Sequence, residues 1–141
     1  MKKILMSILF LFVFLTATNA FSAYIPVSVH ATTEDNCNDG ELLAYKVKDL
    51  INNHDEMYLV PTDSKDPHMV IILSILELDN NSIVYSMVYL VYTVSGRPVY
   101  NFLESGVGIC TDDRINYEAK DIVDKTLELF DQLSKEINEK Q

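Results

Sequence analysis

Positive charge is scarce in this chain. Eleven lysines and arginines stand against 21 aspartates and glutamates, a formal net charge of −10 over 141 residues. That imbalance excludes nucleic acid and anionic membrane surfaces as natural partners, because both repel it. Cysteine is nearly absent, with only Cys37 and Cys110 present. Two distant thiols supply too few ligands for a metal site, and no Cys-x-x-Cys pair offers redox catalysis. Histidine is limited to His30, His54 and His68, in separate segments with no i, i+4 pairing. Zinc ligation has no support in that spacing. Glycine numbers four. Gly106 and Gly108 in "GVG" lack the third glycine of a dinucleotide loop and the lysine of a phosphate loop, so a strand bulge or a close helix approach is the simpler account. No Gly-x-Ser-x-Gly turn presents a nucleophile. The sequence therefore nominates no catalytic residue, no cofactor and no metal ligand.

What the chain does have begins at its amino terminus, "MKKILMSILFLFVFLTATNA". Lys2 and Lys3 precede an apolar run from Ile4 to Leu15, and Thr18 and Ala20 are the small residues before a cut after Ala20. This is the pattern of a secretory signal peptide, and the run is short for a membrane span. We read residues 1–20 as signal peptide and 21–141 as one α/β domain, periplasmic or secreted, with no membrane span in the mature chain. Losing Lys2 and Lys3 takes the formal charge from −10 to −12. An even cysteine count in an exported chain predicts a Cys37–Cys110 disulfide. Closing so long a loop would contribute about 4–5 kcal/mol by chain entropy.

The rest reads as alternating strands and helices. "YIPVSVHA" (Tyr24 to Ala31) predicts a strand whose Pro26 marks an edge or a start. Asn38 and Glu41 have capping-box spacing ahead of a helix with Leu43, Val47, Leu50 and Ile51 on one face. "MYLVP" is a short strand. His68 to Leu78, Ser82 to Val94 and Val99 to Cys110 are three longer ones, separated by "DNNS" and "SGRP". Short polar turns between such runs predict an antiparallel meander. Asn80 also begins a glycosylation sequon, though a tight turn suffices to explain it. Asp112 and Asp113 suit a helix start, with Thr111 or Asp112 as cap. From Ile115 to Ile137 apolar residues recur at helical spacing. The succession predicts a two-layer α/β sandwich: a mixed, mostly antiparallel sheet of about five strands with two helices on one face.

This order resembles the small periplasmic α/β domain at the amino terminus of TolB, the Tol-system propeller protein. Related domains occur in lipoprotein activators of cell-wall synthases. The segments that carry the resemblance are "ELLAYKVKDLI", "MYLVP", "DPHMVIILSIL", a strand pair turning at "SG", and "AKDIVDKTLELFDQL". The chain departs from the first by lacking a propeller and from the second by lacking a lipidation cysteine. The resemblance implies a binding module of the cell envelope without catalytic residues.

The strand "IVYSMVYLVYTV" (Ile83 to Val94) poses the functional question. Its side chains alternate between two faces. Val84, Ser86, Val88, Leu90, Tyr92 and Val94 share one; Ile83, Tyr85, Met87, Tyr89, Val91 and Thr93 share the other. We expect the aliphatic face beneath the helices and the Tyr/Met face open. Tyr85, Met87 and Tyr89, extended by Tyr100 and Phe102, are then the candidate partner-binding residues. The expected function is non-enzymatic docking onto a protein partner or a second copy of the chain. The alternative is a small secreted hydrolase-like or ligand-binding protein whose site sequence does not gather.

Overall fold

A computed structural model describes residues 24–79, 81–94 and 97–139. The expected signal peptide and Asn80 of the sequon lie outside these. Among the described residues five strands and two helices follow in the expected order: β1 (Ile25–Thr33), α1 (Asn38–Asn52), β2 (Met57–Leu59), β3 (His68–Asp79), β4 (Ser82–Val94), β5 (Pro98–Thr111), a 3-10 turn (Asp112–Arg114) and α2 (Ile115–Glu139). The sheet order is β2-β1-β3-β4-β5. β1 runs parallel to both β2 and β3, and β3, β4 and β5 form the antiparallel meander. This is the two-layer α/β sandwich with a mixed sheet that the sequence predicts. Pro26 is the second residue of β1, which is an interior strand, so its role is that of a strand start.

Helix periodicity sets the upper layer. Leu43, Val47 and Ile51 of α1 and Ile115, Ala119, Ile122 and Val123 of α2 are buried against the sheet. Each fully buried aliphatic side chain contributes roughly 1.5–3 kcal/mol. The two helices also pack against each other. The acids stay outside: Asp121, Asp124, Glu128 and Asp131 are all exposed on α2. No helix among the described residues is long and apolar enough to cross a membrane.

The expected capping box does not form. Cys37, not Asn38, is the N-cap of α1, and it makes no side-chain capping bond. A turn at Asn36 (φ 67°) sets that start, and the Glu41 amide bonds to the Cys37 carbonyl at 3.0 Å. Asn38 is therefore already inside the helix, where its side chain cannot cap. Asp39 and Glu41 still favour the first turn through the helix dipole.

The expected disulfide is also absent: Cys37 and Cys110 are both free and buried. Cys37 lies beside Gly40, close to Ile75 of β3 and Thr33 of β1. Cys110 is on β5, and its neighbour Ile83 on β4 separates it from β3.

Candidate interaction surface

The burial of β4 is the reverse of the expected pattern. Ile83, Tyr85, Tyr89 and Val91 are buried in the helix-facing core, and Met87 packs against it. Val84, Val88 and Leu90 are half-buried on the opposite side. Tyr85 and Tyr89 are thus not surface residues, and Met87 is half-buried on the helix side. The reason is length and hydrogen bonding. Tyr85 Oη donates to Glu118 Oε2 at 2.6 Å, and Glu118 is held in turn by Arg114 at 3.0 Å. Tyr89 Oη donates to the Ile122 carbonyl at 3.2 Å. Tyrosine spans the gap from β4 to α2 and satisfies its hydroxyl there, which a valine could not do. Burial, reinforced at Tyr85 by the Glu118 carboxylate, pushes both phenols well above their usual range.

Glycine makes room for those long side chains. In the β4–β5 register Tyr85 pairs with Gly108 and Met87 with Gly106. A Cβ at Gly108 would meet Tyr85 Cζ at 2.3 Å, so the ring lies directly across that backbone. The "GVG" stretch is therefore neither a bulge nor a phosphate loop; its glycines admit the neighbouring strand's side chains. Cys110 continues the same side of β5. Its thiol donates to the Thr111 carbonyl at 3.2 Å, and burial, followed by the nearby Glu118, pushes it up to about 11.

The face away from the helices is built from cross-strand rows running from β3 through β4 to β5. They are Leu76–Val84–Ile109, Ser74–Ser86–Val107, Ile72–Val88–Ser105, Val70–Leu90–Phe102 and His68–Tyr92–Tyr100. No aspartate, glutamate, lysine or arginine occurs in them. Glu77 and Glu104 pair with Ile83 and Tyr89, which puts both on the helix side. Glu104 is met there by Lys125 at 3.1 Å.

Exposure along the rows of this face is greatest on β5, lower on β4, and on β3 confined to Ser74 and Leu76. Val70, His68 and Tyr92 are buried, whereas Phe102 and Ile109 are each 63% exposed and Val107 is 74% exposed. Of the five candidate residues, Tyr100 and Phe102 lie on the open face and the other three do not. Leu76, Val84, Val88, Leu90, Val107 and Ile109 belong to the surface and were not expected there. The signal for the last two was the "GVGI" alternation, which leaves one side of β5 empty and the other apolar.

The last row ends in stacked rings. His68 lies 5.1 Å from Tyr92, and Tyr92 lies 5.0 Å from Tyr100, centroid to centroid. His68 Nδ1 is 2.6 Å from the Asp66 carbonyl. A carbonyl only accepts, so Nδ1 carries a proton. His68 Nε2 and Ser28 Oγ, also on this side, are buried without a hydrogen-bond partner among the described residues. Among those residues no three metal-ligating side chains come together.

No family model and no curated protein matches the chain. Among solved structures it is similar to the hypothetical protein CT253 from Chlamydia trachomatis, at 12% identity and a TM-score of 0.41, covering 80% of this chain and 95% of that one. It is also similar to PelC from Paraburkholderia phytofirmans, solved as a dodecamer, at 9% identity and a TM-score of 0.45, covering 79% and 90%. A second crystal form of PelC gives 11% identity and a TM-score of 0.42 over the same shares.

Proposed function

We propose that this chain is an exported, non-enzymatic binding module of the cell envelope, or a secreted factor, that works by docking a protein onto the open face of its sheet. One observation carries the reading. Five consecutive rows across three strands contain no charge, and their β5 end presents Tyr100, Phe102, Val107 and Ile109 to solvent. The rows run from His68 to Leu76, Val84 to Tyr92 and Tyr100 to Ile109, about 15 Å by about 30 Å, or roughly 450 Å² in projection. That is the size of the largest apolar patch on an ordinary monomer, which is often a functional one. The amino-terminal pattern of Lys2, Lys3 and the Ile4–Leu15 run supports export, and the resemblance to envelope binding domains agrees with it.

The test is site-specific photo-crosslinking in living cells. A photoreactive residue replaces Phe102, and a control replaces Asp131 on the outer face of α2. Protein adducts at 102 and none at 131 are expected. Equal labelling at both positions, or none at 102, would remove the docking role.

A further inference from the structure

We infer that the occupant of the open face is a second copy of the same chain, stacked sheet on sheet. This rests on the docking reading and names its partner.

Charge selects this geometry. Two copies that each carry a formal −10 repel wherever their helix layers meet. The helix layer displays Asp121, Asp124, Glu128 and Asp131, of which Asp124 and Glu128 are paired with Lys120 and Lys125, so its excess is acidic; the rows of the opposite face display no charge at all. Stacking the neutral faces directs the acidic layers outward. Two sheets about 10 Å apart, each backed by a helix layer about 10 Å away, hold those layers roughly 30 Å from one another. That exceeds the ~8 Å screening length at physiological salt several times over. A heterologous partner steered by charge would instead be drawn to the acidic layer, because the open face has nothing with which to recognise it.

Area and shape agree. About 450 Å² from each copy, before side-chain relief is counted, totals roughly 900 Å², close to the ~1,000 Å² that a specific interface buries at the least. The relief is itself self-complementary. Ser74 and Ser86 leave a low band on β3 and β4 that closes at Val107 on β5, flanked by the Leu76–Val84–Ile109 row on one side and the Leu90–Phe102 and Tyr92–Tyr100 pairs on the other. A two-fold axis lying between the sheets and across the strands can set the ridge of one copy into the band of the other. The product is a β-sandwich core of the usual thickness, about 10 Å.

The test is sedimentation velocity on protein expressed from the full-length sequence, across a broad concentration series. Native protein is compared with Val107→Asp, whose site is exposed enough for the monomer to tolerate it, and with Glu128→Lys on the helix layer. Thermal melts confirm that each variant is folded, and binding of an apolar fluorescent dye is read in parallel. We expect a native dimer, a dissociation constant raised about tenfold or more by Val107→Asp, and no weakening from Glu128→Lys. A dimer indifferent to Val107→Asp overturns the inference. A native monomer that binds dye, and loses it in Val107→Asp, overturns the second copy as occupant but leaves the docking face standing. A native monomer that binds no dye overturns both, because the chain then covers its own face.

Discussion

The ring of Tyr85 on β4 lies over the backbone of Gly108 on β5, where a Cβ would stand only 2.3 Å from its Cζ and 2.4 Å from its Oη. The ring cannot swing away freely, because its hydroxyl is bonded to Glu118 and its body is buried between sheet and helix. Two strands and a helix are joined at this single contact.

Gly108→Ala is therefore expected to destabilise the fold by about 1–3 kcal/mol through overpacking. Gly106→Ala is the control. Its Cβ would meet only the Met87 side chain, nearest at Cε, 3.3 Å, and methionine adjusts easily. Its cost should stay below about 1 kcal/mol, offset by the gain from removing a glycine inside a strand. Urea denaturation of the two variants checks the contrast. Equal costs would mean that Tyr85 is free to move.

Alkaline pH should unfold the protein in a specific order. The Cys110 thiol is raised from 9.0 to about 11, so the folded state holds its proton longer than the unfolded chain does. Its contribution is complete below pH 9 and is lost as pH climbs from 9 through 11. Tyr85 and Tyr89 are raised in the same direction from 10.0, so their loss follows at higher pH. The urea midpoint should be flat up to about pH 9 and fall beyond it. Cys110→Ala should flatten the first part of the fall. An unchanged slope in that variant would remove Cys110 from the account.

Element order, the helix stripes and the meander were legible in the sequence because each rests on a local period. Leu43, Val47 and Ile51 recur at helical spacing and are buried, as are Ile115, Ala119 and Ile122. The facing of β4 was not legible. Both of its sides are apolar, so alternation separates two faces without saying which one meets the helices. Open positions such as Val84, Val88 and Leu90 look like core because the uncovered face is itself apolar. The deciding residues lie on another strand. Gly106 and Gly108, two apart and so on one side of β5, leave space that only long side chains on β4 can fill, and Tyr85 and Met87 stand opposite them. The cysteines failed for a related reason. Both precede helices, as the sequence indicates, but each is buried as a free thiol in the core, and an even cysteine count does not say that two such thiols meet.

Thiol chemistry separates the structure from the expectation of a disulfide. Both cysteines are free and buried. An aromatic disulfide reagent added to the native, unreduced protein should react very slowly. In denaturant it should find two thiols per chain. Finding none in denaturant would mean that the two cysteines are cross-linked.

The two sides of the sheet should answer oppositely to a buried-charge substitution. Ile71 is fully buried beneath the helices, among Val29, Leu73 and Tyr89 in the same core. Ile71→Asp places an unpaired carboxylate there, and either ionisation or forced protonation costs several kcal/mol, roughly 4 or more, enough to unfold most domains. Val88 is only half-buried, and it faces away from the helices in the row between Ile72 and Ser105. A carboxylate at position 88 can reach water past Ser86 and Ser105. Val88→Asp should therefore retain the native far-ultraviolet dichroism and a cooperative melt, at a cost of about 1–2 kcal/mol for the lost apolar contacts. It should also weaken whatever association the open face supports, because the new charge would be buried at that contact. Circular dichroism melts of the two variants decide the matter. An unfolded Val88→Asp beside a folded Ile71→Asp would invert the sheet and move the interaction surface to the tyrosine side.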